Sequence, residues 1–167
     1  KLDGQLNGFD VAQFMPRDSI GVISGTIKAD GAGLSLKTKN KKGIVAVALD
    51  EVNYRNYRLH NLALDGFLRG DSVAATLQAN DPAAQLFGDV AGRLITAGKQ
   101  TSFDGKIDLD VSHLDLQAIG LSDSIMEGRM KLTADLYSDF AETHVVDGQL
   151  SDLHLAVGSQ RIDNEQI

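Results

Sequence analysis

LALDGFLRGDSVAATLQAN, residues 62–80, decides how the chain is read. Leu62, Leu64, Gly66 and Leu68 share one parity, with Asp65 and Arg69 on the other. After Gly70-Asp71, Val73, Ala75, Leu77 and Ala79 resume the alternation, with Thr76, Gln78 and Asn80 opposite. A period of two held over this length describes strands with one dry and one wet face. Two such runs around a Gly-Asp turn predict an antiparallel hairpin.

The same unit recurs outward from this stretch. A Gly stands two residues before an apolar residue at Gly4-Gln5-Leu6, Gly25-Thr26-Ile27, Gly92-Arg93-Leu94, Gly105-Lys106-Ile107, Gly128-Arg129-Met130 and Gly148-Gln149-Leu150, as at Gly66-Phe67-Leu68. In the clearest copies the Gly shares the apolar parity: Phe103, Gly105, Ile107, Leu109 and Val111, then Met126, Gly128, Met130, Leu132, Ala134 and Leu136. Gly on the dry face of a strand marks a bend or a close backbone approach. Gly25, Gly66, Gly92, Gly105, Gly128 and Gly148 are therefore candidates for a crease along which a sheet curls.

Further strands are expected at Gly4–Val11, Ile20–Ala29, Leu34–Thr38, Gly43–Leu49, Tyr54–Asn61, Leu86–Leu94, Ser102–Ser112, Ile125–Tyr137, Val145–Val157 and Gln160–Ile167, about a dozen in all. Gly43–Leu49 is apolar on both parities and reads as a strand covered on both faces. Asp81-Pro82 interrupts the ladder, because Pro has no N–H to donate. Near Ser151-Asp152 the apolar parity slips from even to odd, as a bulge requires. The sole helical signal is Ser112–Leu121, with Ser112 as N-cap and Gly120 as C′ residue, a short helix near 114–120. The fold class is all-β. With so little helix the sheet must cover itself, as a barrel, a sandwich or a curled open trough.

Composition narrows the function. A net charge of −7 argues against nucleic acid and against an anionic membrane surface. Only 5% of residues are aromatic against 43% hydrophobic, so the dry faces are aliphatic. The basic cluster Lys37–Lys42 reads as a solvated hairpin tip. The absence of cysteine excludes disulfides, thiol catalysis and Cys-type zinc sites, and fits a bacterial envelope protein. His60, His113, His144 and His154 have no i,i+4 partner, and His60 reads as an exposed strand position. Asp104, Asp108 and Asp110 share a parity that could hold a weak Ca²⁺ site, but a wet strand face explains them better. No serine lies in a nucleophile elbow, and Gly31-Ala32-Gly33 lacks the following helix of a phosphate cradle. No metal, cofactor or catalytic constellation emerges, so the reading is of a non-enzyme.

Tyr57–Asp71 with Asp81-Pro82, the passage Asp108–Leu121, and Glu127–Leu132 together resemble the TamB and AsmA-like periplasmic family across most of Gly21–Val157. The resemblance implies a curled antiparallel sheet, the β-taco, with an apolar groove. It also implies a long protein anchored in the inner membrane of a Gram-negative bacterium, moving phospholipid to the outer membrane. Some members assist outer-membrane protein assembly with a barrel partner, engaged through regions not recognisable here. On that reading residues 1–167 are one repetitive domain of a longer periplasmic protein. The dry-face set Leu36, Val47, Leu62, Leu64, Leu68, Val73, Leu77, Leu86, Val90, Leu94, Phe103, Ile107, Leu109, Val111, Met130, Leu132 and Leu136 then lines a groove for acyl chains. The rival is a structural or adhesive β-repeat whose dry faces pack together; a closed lipocalin-like barrel fits the open-ended repeat less well.

Overall fold

A computed structural model of the chain describes residues 1–13, 20–32, 41–98 and 100–166. Ten strands follow one another: β1 (Leu2–Asp10), β2 (Ile20–Ala32), β3 (Lys42–Tyr54), β4 (Tyr57–Arg69), β5 (Ser72–Asp81), β6 (Ala84–Ala97), β7 (Gln100–Asp115), β8 (Met126–Ser138), β9 (His144–Val157) and β10 (Gln160–Gln166). They form a single antiparallel meander in sequence order, and the sheet does not close into a barrel. The all-β curled-sheet reading holds. The expected strand Leu34–Thr38 lies outside the described residues.

Two expectations about elements need correction. Tyr54–Asn61 is not one strand: Tyr54 closes β3, Arg55 and Asn56 turn, and Tyr57 pairs back on Tyr54 to open β4. Arg55 makes this turn at a φ of 52°, a left-handed geometry that no Gly or Pro announced. Nor does Ser112–Leu121 form a helix. Ser112 stays in β7 and its hydroxyl donates to the Gln85 carbonyl (3.2 Å). Asp115 takes the capping role instead, its carboxylate accepting from Ala118 N–H at 2.8 Å. One turn follows and ends at Gly120 (φ 76°), where Leu121 N–H reaches the Leu116 carbonyl and Gly120 N–H the Gln117 carbonyl. This is the Schellman arrangement, so Gly120 is the stop the sequence signalled. The ladder to β6 and β8 outcompetes the weak local helical preference upstream of it.

Directly paired residues share a face, and the register sorts the dry parity into rows. One row runs Leu6, Gly25, Leu49, Leu62, Ala79, Leu86, Val111, Met130. The next runs Gly4, Ile27, Val47, Leu64, Leu77, Gly88, Leu109, Leu132, Leu150. A third holds Leu2, Ala29, Val45, Gly66, Ala75, Val90, Ile107, Ala134, Gly148, and a fourth Gly31, Gly43, Leu68, Val73, Gly92, Gly105, Leu136, Val146. We call this the inner face. The apolar parity switches in β4 at Asn61, which has a φ of 54°, and in β9 at Asp152, with a φ of 51°, where the register against β8 also shifts. The slip expected at Ser151-Asp152 is therefore a bulge.

The six candidate crease glycines do not fall in one line. Gly25 lies in the first row, Gly66 and Gly148 in the third, Gly92 and Gly105 in the fourth, and Gly128 beyond the first, opposite Leu114 and Leu155. Bending is thus spread over the sheet. The paired Gly92 and Gly105 make room for Phe103, whose ring lies across both: a Cβ at either would sit 2.6 Å from its Cζ. At Gly148 a Cβ would come within 2.4 Å of the Ala134 Cβ, whereas at Gly128 the nearest atoms are 3.3 Å away.

Among the described residues no second layer covers the sheet. The chain exposes 11272 Å², against about 8,000 Å² for a compact monomer of its mass. The both-faced apolar segment of β3 is likewise left open on its outer side, where Ile44 is 63% exposed. No helix among the described residues is long and apolar enough to cross a membrane.

Replacing Gly105 or Gly148 by Val is expected to destabilise by about 1–3 kcal/mol through overpacking. Gly128→Val should cost less, and Ser112→Val, at an exposed site, least. Urea midpoints measured across the four variants test this ordering, and equal shifts would contradict it.

Candidate functional site

The four inner rows contain only aliphatic side chains, Met, Ala and Gly; no charged or polar side chain interrupts them. They gather nearly all of the lining residues expected from the sequence. Leu62, Leu86, Val111 and Met130 occupy the first row, and Val47, Leu64, Leu77, Leu109 and Leu132 the second. Val90 and Ile107 lie in the third, and Leu68, Val73 and Leu136 in the fourth. Leu94 pairs with Phe103 just beyond the fourth row. Leu36 lies outside the described residues.

Openness varies along the face and is greatest on its outer strands, where Leu2 and Val146 are 57% and 62% exposed. Leu64 and Leu77, paired at the centre, are 38% and 43% exposed, while Val111 is 4% exposed and Phe103 and Ala134 are buried. A hollow of about 580 Å³ lies between the third and fourth rows over β2–β5, where Ala29, Gly31, Gly43 and Ala75 leave space beside Val45, Leu68 and Val73.

One end of the face is closed, and the other carries a buried lysine, by features that the sequence pattern did not signal. At one end Val52, Ala83, Ala84 and Ile119 are buried. The β7–β8 connection reaches back across the β5–β6 hairpin, and the Arg55 guanidinium donates to the Gly120 carbonyl. Arg55 also lies 5.7 Å from the Tyr54 ring centroid, within cation–π range. Val52 escaped notice because the parity slip at Asn61 and its partner strand hides its alignment with Leu49.

Beneath this plug is Asp81, 1% exposed. Its carboxylate accepts from Tyr57 O–H (2.8 Å), His60 N–H (2.8 Å) and Ala83 N–H (2.8 Å), and lies 3.2 Å from His60 Nδ1. Burial pushes the carboxyl pKa up, but the hydrogen bonds from Ala83, Tyr57 and His60 together outweigh it and hold the group below the usual carboxylate range. The Tyr57 phenol is raised, chiefly because it donates to Asp81. His60 is half exposed, as expected for a strand position, but it is committed to Asp81. The sequence signalled Asp81 only as a partner of Pro82.

At the other end Lys41 corrects the expectation of a solvated basic tip. Its side chain is 3% exposed and its ammonium binds the Asp71 carboxylate at 3.0 Å. Lys37, Lys39 and Asn40 lie outside the described residues.

The outer face carries the charges. Asp108 accepts from the Thr133 hydroxyl (2.8 Å), and Lys131 is shared between Asp110 (3.9 Å) and Asp152 (3.4 Å). Asp104, Asp108 and Asp110 alternate along this face, and no group of three or more potential metal ligands gathers among the described residues. Chemically, the described residues offer a charge-free aliphatic floor with a buried carboxylate beyond one end and a buried lysine beyond the other. No family model matches the chain, and no curated protein or solved structure matches it.

The depressed Asp81 pKa gives a pH dependence of defined sign. Its stabilisation is complete above the unfolded value near 3.8 and is lost as pH falls through the lower folded value. Asp81→Asn, which turns an amide N–H₂ toward donors, should cost about 1–3 kcal/mol at neutral pH. It should also flatten the loss of stability below pH 3.8. Denaturant titrations at neutral and acid pH check both; an unchanged acid profile would contradict the assignment.

Proposed function

We propose that this chain is a non-catalytic segment of a periplasmic envelope protein of the TamB and AsmA-like type. Its inner face carries phospholipid acyl chains between the inner and outer membranes. The observation that carries the reading is the set of four charge-free aliphatic rows that run from β1 or β2 to β8 or β9 and stay partly open to solvent. At a strand spacing of about 4.8 Å the longest rows, nine strands across, extend over roughly 38 Å. Exposed apolar surface on this scale marks an interaction face rather than a solvated one.

The energetics suit a conduit better than a pocket. Each CH₂ laid on the floor gains about 0.8 kcal/mol. No polar side chain in the rows fixes an acyl chain at one position rather than the next. Specific small-molecule sites instead carry a few placed polar groups that fix orientation. A head group can stay hydrated at the open margin while the tail occupies the rows. Membrane anchoring, and any contact with an outer-membrane barrel protein, would fall to segments outside this chain. The rival reading, dry faces packed into a closed core, is disfavoured by the partial exposure of Leu64 and Leu77.

Leu64→Asp and Leu77→Asp, made in the full-length protein, test the proposal. At these half-open sites a carboxylate can remain partly hydrated, so the variants should fold. They should lose co-purifying phospholipid in native mass spectrometry and fail to support outer-membrane lipid supply. Val111→Asp, at a buried site, should unfold, since burying an unpaired charge costs several kcal/mol. Unfolding of the Leu64 and Leu77 variants would favour the packed-core rival. Folded variants that still carry lipid would overturn the conduit.

A further inference from the structure

The outer face holds an apolar strip that the lipid reading does not use. Ile44, Phe67, Ala74 and Ala91 are directly paired across β3–β6, and Ile44 and Phe67 are 63% and 50% exposed. Two residues along the strands on one side lie Asp65 and Asp89; two residues on the other side lie Arg69 and Arg93. None of these four charges makes an ion pair or side-chain hydrogen bond with a described residue, although Asp104 is opposite Arg93 in register. A row of unspent carboxylates and a row of unspent guanidiniums thus flank one apolar strip at equal offsets.

We propose that this strip is a self-association surface whose occupant is a second copy of the same chain. Two sheets meeting face to face can be related by a two-fold axis lying in the interface. If that axis runs along the strip, perpendicular to the strands, it reverses strand direction and keeps each strand over its own copy. Phe67 then meets the partner copy's Phe67, and each Arg row falls over the partner copy's Asp row. Arg69 faces the second copy's Asp65, and Arg93 faces its Asp89. On this axis Asp30 and Lys106, which continue the strip on β2 and β7, meet their own copies at the rim. An axis parallel to the strands between β4 and β5 would leave Asp65 facing Thr76 and Arg69 facing Ser72 and would set Arg93 over Lys42, so only the first axis pairs all four charges. A hollow of about 550 Å³ over this face, bordered by Lys28, Asp65 and Thr76 on one side and Ile44, Phe67 and Ala74 on the other, receives the opposing side chains.

The strip with its two flanking rows covers roughly 19 Å by 17 Å. That is a small interface, so the dimer is weak and is populated only at high protein concentration. Sedimentation equilibrium of the 167-residue chain up to millimolar concentration is expected to reveal a reversible doubling of mass, abolished by Phe67→Asp. Two charge variants make the test specific. The pair D65K/D89K presents two positive rows, and R69E/R93E two negative rows. Each should be monomeric alone, and an equimolar mixture should restore the dimer as a heterodimer. A wild-type chain that stays monomeric overturns the proposal. So does a dimer that survives Phe67→Asp, which would place association at the inner face or the sheet edges. Failure of the two folded charge variants to combine overturns the two-fold arrangement.

Discussion

A single antiparallel sheet has two faces, and the described residues supply no further layer to lay on either. Everything else in the structure answers that constraint. Each strand packs laterally on its sequence neighbours, so stability comes from the hydrogen-bonded ladder and from cross-strand side-chain pairs rather than from a central core. Burial is concentrated where the face ends: Val52, Ala83, Ala84 and Ile119 around the Asp81 carboxylate at one end, and Lys41 bonded to Asp71 at the other. The sheet is fastened at its ends and left open between them.

The outer ion pairs do a different job. Lys106–Asp135, Lys131–Asp110 and Arg58–Glu51 are exposed, and such pairs are worth about 0–1 kcal/mol each. Their value lies in register. A one-residue slip between β7 and β8 would take Lys131 from Asp110 and turn Leu109 and Leu132 to opposite faces. The open edges of β1 and β10 are blunted similarly. Gly8, with a φ of 63°, sits in an irregularity between Leu6 and Phe9, and Arg161 and Asp163 place charge on the last strand.

Period-two alternation made most of this legible. Leu62–Asn80 gives one hairpin unambiguously, and repetition of its parity leads to the inner-face lining. Legibility failed where local chemistry was silent or its signal was outweighed. The Arg55-Asn56 turn has neither Gly nor Pro, so two strands read as one. The slip at Asn61 hid Val52 and Leu59 from the lining. The Ser112–Leu121 pattern has real helical punctuation at its end, but strand pairing holds its first half extended. Asp81 was the deepest omission, because a carboxylate beside a proline reads as a breaker. Its burial depends on Tyr57 and His60, which reach it only once β4 lies beside β5.

On the conduit reading, the uncovered rows couple the fold to its occupant. A ligand that binds the folded sheet and not the unfolded chain stabilises it by an amount that grows with the ratio of ligand concentration to Kd. Acyl chains on the floor would also remove apolar surface from water, which the isolated sheet cannot do with Leu64 and Leu77 half exposed. The same rows that would conduct lipid are thus those least stabilised without it. On that reading the anchored ends would hold register when the floor is empty, and the charge-free rows would offer no polar side chain at which a tail stops when it is full. A polar anchor placed in the rows would strengthen binding at one point and interrupt passage past it. On the conduit reading, a division between polar ends and an aliphatic middle is the arrangement that movement along the face would require.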